Sequence, residues 1–269
     1  MEKRTIRPVR LGGVVLGEGR PKVCVPVMGE SIAAFGRSAA QAARAGAEVI
    51  ELRIDSLNAM PSAQEAIAAC RAVREAAGDV PILFTLRTAR DGGPGSADAA
   101  AYAALLAEVA QAGVCEAIDV ELSVGNAAFA RLVRAAHAGG AAVVGSSHEF
   151  GEIADIRLAG EWLRRQRALG ADVCKAAIMP RDDEQALELA LDMLRASKAL
   201  DAPASASSWA GPACLRAYAR RCWAAASPSA RREGPLPPDR WTPRRSRESF
   251  RRWMHRCASD WRMTGKIFI

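Results

Sequence analysis

Short apolar segments alternate with alanine-rich amphipathic segments along the first 200 residues, repeating roughly every 25 to 35 residues. The apolar segments are nearly continuous, as in strands that are buried on both faces of a parallel sheet. Strands are predicted at 22–28, 48–54, 82–88, 117–122, 141–147 and 173–178, and helices at 31–45, 63–77, 98–112, 127–138, 152–169 and 182–199. The pattern therefore predicts six successive βα units.

A short β-hairpin is predicted before these units, from segments 5–11 and 14–16 joined by two glycines. Six βα units with room for two more indicate an α/β protein of the (β/α)8 (TIM) barrel class. An open doubly wound sheet is the less favoured alternative, because the segment after the first strand reads Gly29-Glu-Ser31 and lacks a G-x-G-x-x-G motif. In a barrel, we expect functional side chains at the carboxyl ends of the strands.

The composition narrows the class of protein further. Hydrophobic residues make up 50% of the 269 residues and aromatic residues only 5%, which suits a core of small and branched aliphatic side chains. We find neither an 18-residue apolar run nor an apolar segment behind the first residues, so we expect a cytoplasmic protein without membrane contact. The seven cysteines form no C-x-x-C pair, which indicates reduced thiols and argues against a metal site.

Basic residues are concentrated near the carboxyl end. Residues 201–269 contain 14 of the 37 basic residues but only 5 of the 30 acidic ones, so this segment carries a net charge of +9 and the remainder −2. The same segment holds five of the six tryptophans, without strand or helix periodicity. The overall charge of +7 therefore describes this segment and not the predicted barrel.

Lys175 is the most informative single residue, because it lies in the middle of the apolar segment 173–178. An ammonium group is costly to bury, so burial favours the free amine, which is the form that attacks a ketone. The alternative is structural, with Lys175 at a strand end and its ammonium group reaching solvent.

Other polar residues lie on or just after the predicted strands. They are Glu51, Arg53, Arg87, Arg90, Asp91, Asp119, Glu121, Ser147, His148 and Glu149. Each has a structural explanation when taken singly: Asp55 could simply pair with Arg53, and a lone histidine is more often a packed, hydrogen-bonded residue. Together they suit Schiff-base chemistry on an anionic, oxygenated small molecule, with an amine, an imidazole for proton transfer, and charged groups to bind the substrate.

Six ordered motifs carry a family resemblance over about residues 5–194. They read Leu16-Gly-Glu-Gly-Arg-Pro-Lys22, Glu51-Leu-Arg-Ile-Asp55, Phe84-Thr-Leu-Arg-Thr-Ala-Arg-Asp-Gly-Gly93, Ile118-Asp-Val-Glu121, Ser146-Ser-His-Glu-Phe150 and Lys175-Ala-Ala-Ile-Met-Pro180. In these motifs and their spacing the chain resembles the type I 3-dehydroquinate dehydratases of the shikimate pathway, which leads to chorismate and the aromatic amino acids.

The resemblance implies that Lys175 forms an imine with the C3 ketone of 3-dehydroquinate and that His148 acts as general acid and base in a syn elimination to 3-dehydroshikimate. Asp91 stands where the family usually has a glutamate that orients the histidine. Substrate binding is implied for Glu51, Arg53 and Arg87. The resemblance further implies a homodimer that needs no cofactor or metal.

The resemblance stops near residue 200, before the family's carboxylate-binding arginine and closing loop. A basic, tryptophan-rich segment could bind nucleic acid or an acidic membrane surface. High-GC codons read out of frame explain its composition better, so we expect neither partner. We divide the chain into a barrel domain, 1–200, with strands one to six, and an aberrant, poorly ordered tail, 201–269, in place of the last two βα units.

Two alternative functions stay open. One is a catalytically impaired or inactive product of a frameshift, because the carboxylate-binding arginine and the closing loop are missing. The other is a different Schiff-base barrel enzyme, such as a class I aldolase acting on a sugar phosphate. That enzyme would need a glycine-rich phosphate loop after strand seven, which residues 201–269 do not supply.

Overall fold

A computed structural model of the protein consists of a β-hairpin followed by a curled parallel sheet that is surrounded by helices. The structure describes residues 5–57, 59–150, 155–208 and 267–268. The strands are β1 Val9–Leu11, β2 Val14–Leu16, β3 Val23–Val27, β4 Val49–Arg53, β5 Ile82–Thr85, β6 Ala117–Glu121, β7 Ala142–Glu149, β8 Val173–Ile178, β9 Ala204–Ser208 and β10 Ile267–Phe268. The helices are α1 Ile32–Arg44, α2 Ala63–Ala77, α3 Ala99–Gln111, α4 Asn126–Ala138, α5 Leu158–Ala168 and α6 Asp183–Ala199.

Strands β3 to β9 pair in sequence order, each parallel to the next, and β10 pairs antiparallel with β3. A helix follows each strand from β3 to β8, so each crossover is a βα unit. This arrangement confirms the predicted α/β class, the amino-terminal hairpin and the six βα units.

The structure corrects the predicted end of the regular sheet. Ala204–Ser208 forms a seventh parallel strand beside β8, with Ser205 opposite Lys175, so the boundary placed at residue 200 is too early. The strand was missed because it consists of alanine and serine and lacks a large apolar residue. Residues 209–266 lie outside the described part of the chain, so the expectation of an out-of-frame tail stays a prediction there.

Side-chain hydrogen bonds define several helix boundaries. Ser62 caps α2 in a capping box with Glu65, and Asp98 accepts hydrogen bonds from two backbone amides at the start of α3. Helix α5 begins at Leu158, later than the predicted residue 152, and residues 151–154 of that interval are not described. Among the described helices, none combines the length and the hydropathy needed to cross a membrane.

The hairpin covers one end of the sheet's inner face. Leu11 and Leu16 are buried there against one inner layer of strand residues. That layer contains Cys24, Val49, Leu83, Ala117, Val144 and Val173. Because side chains alternate along a strand, residues two positions further along β4, β6 and β8 face the same interior, and those residues are Glu51, Asp119 and Lys175. The apolar layer thus separates the hairpin from a polar interior toward the carboxyl ends of the strands.

Candidate active site

All six predicted site residues lie within the strands of the parallel sheet or just after their carboxyl ends. Glu51 and Arg53 belong to β4, Arg87 and Asp91 follow β5, His148 is near the end of β7 and Lys175 is in β8. Glu51, Arg87, Asp91 and Lys175 are buried, whereas Arg53 and His148 are half-buried. The six side chains thus lie in one region of the sheet, and their roles in catalysis and substrate binding stay predictions.

Lys175 is only 2% exposed, so its side chain does not reach solvent as the structural alternative required. Its Nζ lies 3.8 Å from Oε1 of Glu51. The Thr85 hydroxyl donates to the same Oε1 at 3.1 Å, whereas Oε2 of Glu51 is buried without a hydrogen-bond partner among the described residues. A buried carboxylate oxygen without a donor is costly, so this position suits a hydroxyl donor of a bound small molecule.

Arg87 forms the centre of a buried ionic cluster. Its Nη2 lies 2.9 Å from Oδ2 of Asp119, and its Nη1 donates to Oε1 of Glu121 at 2.8 Å and to Oγ of Ser146 at 3.1 Å. Burial tends to lower the pKa of the guanidinium, but Asp119 and Glu121 raise the pKa of Arg87 above its ordinary value. Both terminal nitrogens thus bond to protein acceptors, and any contact with substrate would add to these bonds.

Asp55 holds the other arginine in place. Its carboxylate accepts two hydrogen bonds from the Arg53 guanidinium, at 2.9 and 2.7 Å, and one from the backbone N–H of Arg87 at 3.0 Å. Such a forked pair fixes the plane of the guanidinium. The ion pair that explained Asp55 structurally is therefore present, and it also connects β4 to the segment after β5.

The side chains of His148 and Asp91 form a largely buried pair, with 3.2 Å between Nδ1 of the imidazole and Oδ2 of the carboxyl group. The Phe150 ring stacks beside the imidazole, with 6.3 Å between ring centroids. A Cβ at position 92 would lie 2.3 Å from the Phe150 ring, so only glycine at Gly92 allows this packing. The carboxyl group of Asp91 reaches the histidine despite being one methylene shorter than the glutamate that the resemblance implies.

The two members of this pair have opposite pKa shifts. Burial raises the pKa of Asp91 to about 7, and the nearby Glu121 carboxyl group adds to this effect. Burial lowers the pKa of His148 well below its ordinary value, and the Arg87 and Lys175 cations lower it further. At mildly acidic pH the folded pair is therefore a neutral imidazole beside a protonated carboxyl group, whereas the unfolded chain has an imidazolium and a carboxylate.

Because both states of this pair hold one proton between about pH 4 and 6.5, the pair adds little pH dependence to stability in that interval. Substituting one residue of the pair at a time should reveal two opposite changes of the free energy of unfolding with pH. Asp91→Asn leaves His148, which binds a proton below pH 6.5 only when unfolded, so stability is lost as pH falls. His148→Ala leaves Asp91, which keeps a proton between pH 3.8 and about 7 only when folded, so stability is lost as pH rises.

Urea unfolding of both variants and the unsubstituted chain from pH 4.5 to 7.5 measures these slopes. The double variant is the control and should follow the unsubstituted chain. Curves for the two single variants that run parallel to each other would contradict the assigned protonation states.

Several residues of the site had no individual role predicted from the sequence. Asp119 and Glu121 alternate on β6, a spacing that does place both on one face of a strand. Ser146, Ser123 and Gln166 gave no signal, since single polar residues in a strand, a loop or an amphipathic helix are common. Ser146 bonds to Arg87 and Asp119, and the side chain of Ser123 opposes the rise in the pKa of Asp91. Within the described ranges, no histidine, cysteine and carboxylate side chains are grouped so as to hold a metal ion.

Sequence comparisons match this chain to one family of proteins. A profile of the type I 3-dehydroquinase family matches residues 23–210. The 3-dehydroquinate dehydratase of Bacillus licheniformis is 33% identical over 181 residues, which cover 67% of this chain and 71% of that protein. The 3-dehydroquinate dehydratase of Salmonella paratyphi B is 32% identical over 184 residues, 68% and 73% of the two chains.

Solved structures agree with the sequence matches. The type I 3-dehydroquinate dehydratase from Clostridium difficile, with covalently modified comenic acid, superposes with a TM-score of 0.72 at 30% identity and covers 76% of this chain and 81% of its own. The 3-dehydroquinate dehydratase from Geobacillus kaustophilus superposes with a TM-score of 0.74 at 27% identity, covering 79% and 83%. The predicted barrel class is thereby confirmed.

Proposed function

The chain belongs to the type I 3-dehydroquinase family, hydro-lyases that dehydrate 3-dehydroquinate in the shikimate pathway, and we propose that it performs this reaction through a Schiff base on Lys175. The observation that carries the proposal is a lysine 2% exposed in the interior of β8, within 3.8 Å of a buried carboxylate. The covalently modified ligand of the Clostridium difficile relative supports covalent capture in this family.

The register of β7 and β8 supports a joint role for Lys175 and His148. Lys175 of β8 lies opposite Ser146 of β7, and His148 comes two residues after Ser146 on β7. Since residues two apart point to the same face, the imidazole and the amine share the sheet's interior, with the imidazole nearer the carboxyl end. A small substrate between them would contact both groups.

The proposed reaction needs only these two groups for its covalent and proton-transfer steps. The Lys175 amine adds to the C3 ketone, and loss of water with uptake of one proton gives a cationic imine. The neutral imidazole of His148 removes the C2 proton, and the electron pair of that C–H bond moves into the imine to give an enamine. The enamine then expels the C1 hydroxyl, which takes a proton from His148 and leaves as water. Hydrolysis of the imine releases 3-dehydroshikimate and restores the amine.

Charged neighbours would bind the substrate and orient the imidazole. Oε2 of Glu51, which is without a donor among the described residues, suits a hydroxyl of the substrate. Arg53 is half-buried and is held in place by Asp55, so its guanidinium can bind a substrate oxygen without reorganising. Asp91 would orient His148, and Arg87 would act from within its carboxylate cluster.

His148→Ala should lower kcat by roughly 10²- to 10⁴-fold, the range expected for loss of a general acid and base. Imine formation should still be detectable after borohydride reduction, because the lysine is intact. Steady-state turnover and mass spectrometry of the reduced adduct measure the two effects. His137→Ala is the matched control, since the His137 imidazole bonds to Asp172 on the protein surface. An unchanged kcat in His148→Ala would exclude this role.

The same family membership supports three further proposals. We infer a homodimer, which sedimentation of the purified chain would test, and a cytoplasmic location, which fractionation of the producing cells would test. Residues 1–200 with the added strand β9 would form the catalytic domain.

A further inference from the structure

A glutamine on the outer helix layer contacts the backbone of the proposed catalytic lysine. Gln166 lies in α5 and is 0% exposed. Its Oε1 accepts from the backbone N–H of Lys175 at 3.0 Å, and its Nε2 donates to the backbone carbonyl of Lys175, also at 3.0 Å. The same Nε2 donates to Oγ of Ser147 at 3.0 Å. One side-chain amide therefore satisfies both backbone groups of Lys175.

The orientation of this amide is fixed by its partners. A backbone N–H can only donate and a carbonyl can only accept, so the oxygen and nitrogen of Gln166 cannot exchange places. Gly145 in β7 makes room for the contact, because a Cβ there would lie 3.0 Å from Cβ of Gln166 and 3.0 Å from Cζ of Phe129. A glycine in the strand thus lets α5 approach closely enough for the glutamine to reach β8.

Through Ser147, Gln166 also contacts the strand that carries His148. It directly precedes His148 on β7, and its side chain points to the helix layer while those of Ser146 and His148 point to the interior. The amide of Gln166 therefore bridges the backbone that carries the amine to the residue beside the imidazole. Among the side chains of the described residues, only that of Gln166 bonds to both the backbone N–H and the carbonyl of Lys175.

We propose that Gln166 is a positioning residue, which fixes the backbone of Lys175 relative to the strand that carries His148 and so sets the approach of the amine to the substrate ketone. The inference rests on the proposed Schiff-base function. Attack on a carbonyl depends steeply on distance and angle, and a displacement of about 1 Å can cost roughly a hundredfold in rate. Loss of the amide should therefore slow imine formation more than it reduces the amount of folded protein.

Two substitutions at this position test the idea in the full chain. Gln166→Met keeps the length and volume but removes both the donor and the acceptor. Gln166→Glu keeps the acceptor at all pH values, but supplies a donor to the Lys175 carbonyl only when its carboxyl group is protonated. The matched control is Leu163→Ala, at a buried residue of the same helix whose apolar side chain cannot hydrogen-bond to the lysine backbone.

The readout is the rate at which 3-dehydroquinate is trapped on Lys175 by borohydride, measured by mass spectrometry and divided by the final trapped fraction. That ratio does not depend on how much protein is folded. We expect Gln166→Met to be about 10- to 100-fold slower and Leu163→Ala to match the unsubstituted chain. Gln166→Glu should approach the unsubstituted rate at pH 5.5 and fall below it as pH rises, because the carboxylate form repels the carbonyl.

Three results would count against the inference. A Gln166→Met rate within twofold of the unsubstituted chain, or no slower than Leu163→Ala, would overturn it. A Gln166→Glu rate whose ratio to that of the unsubstituted chain does not change with pH would also overturn it. Absence of label on Lys175 in the unsubstituted chain would instead overturn the Schiff-base proposal, on which the inference depends.

Discussion

Lys175→Met should abolish borohydride-dependent labelling by 3-dehydroquinate and lower kcat by roughly 10⁴-fold or more, the scale seen when a covalent nucleophile is removed. Methionine fills the space of the lysine side chain without its amine, so the barrel should still fold. Lys175 is buried beside Glu51, with 3.8 Å between Nζ and Oε1. Removal of the amine leaves Arg87, at 3.9 Å, as the nearest cation to the Glu51 carboxylate. Mass spectrometry of the digested, reduced protein measures the labelling directly.

Lys198→Met is the matched control for this substitution. Lys198 is exposed near the end of α6, and Lys22, the other described lysine, is half-buried and donates to backbone carbonyls. Neither of these two lysines belongs to the buried ionic cluster around Arg87. Lys198→Met should therefore keep both the label and the turnover of the unsubstituted chain. Label that persists in Lys175→Met, or that disappears in Lys198→Met, would place the imine on another lysine.

The strands and helices of the barrel could be predicted because their sequence patterns are strong. Strand β8 was predicted with the observed bounds, and α2 likewise, since a serine cap and a following glycine mark its ends. Strand β9 could not be predicted, because its alanines and serines carry no hydrophobic periodicity. Its position depends on pairing with β8, a tertiary interaction that a local pattern does not contain.

The candidate site could be predicted as a set of residues but not as a set of contacts. Polar residues within apolar strands identified Lys175, His148 and Glu51, since such residues are costly to bury without a purpose. The pairing of Arg87 with carboxylates of β6 depends on which strands are neighbours and at what register. Gln166 gave no signal, because a glutamine in an amphipathic helix usually faces solvent.

Arg87→Met should destabilise the protein by about 3–5 kcal/mol at pH 7.5, the cost of leaving buried carboxylates without their cation. The guanidinium bonds to Asp119 and Glu121, and all three side chains are nearly inaccessible to solvent. Burial alone would raise the pKa of Asp119, and it is Arg87, followed by Lys175, that holds this pKa below its ordinary value. Urea unfolding of the variant measures the loss.

The pH dependence of this loss distinguishes a charge effect from a packing effect. Without Arg87, burial places the folded-state pKa values of the carboxyl groups above their unfolded values, so the penalty is small near pH 4.5 and grows as pH rises. Arg87→Lys keeps the charge but not the forked geometry and should lose less stability than Arg87→Met. Arg90→Met, an exposed arginine that bonds only weakly to the Ser123 carbonyl at 3.4 Å, should change stability by less than about 0.5 kcal/mol. A loss in Arg87→Met that is equal at pH 4.5 and 7.5 would mean that lost packing, and not uncompensated charge, destabilises the variant.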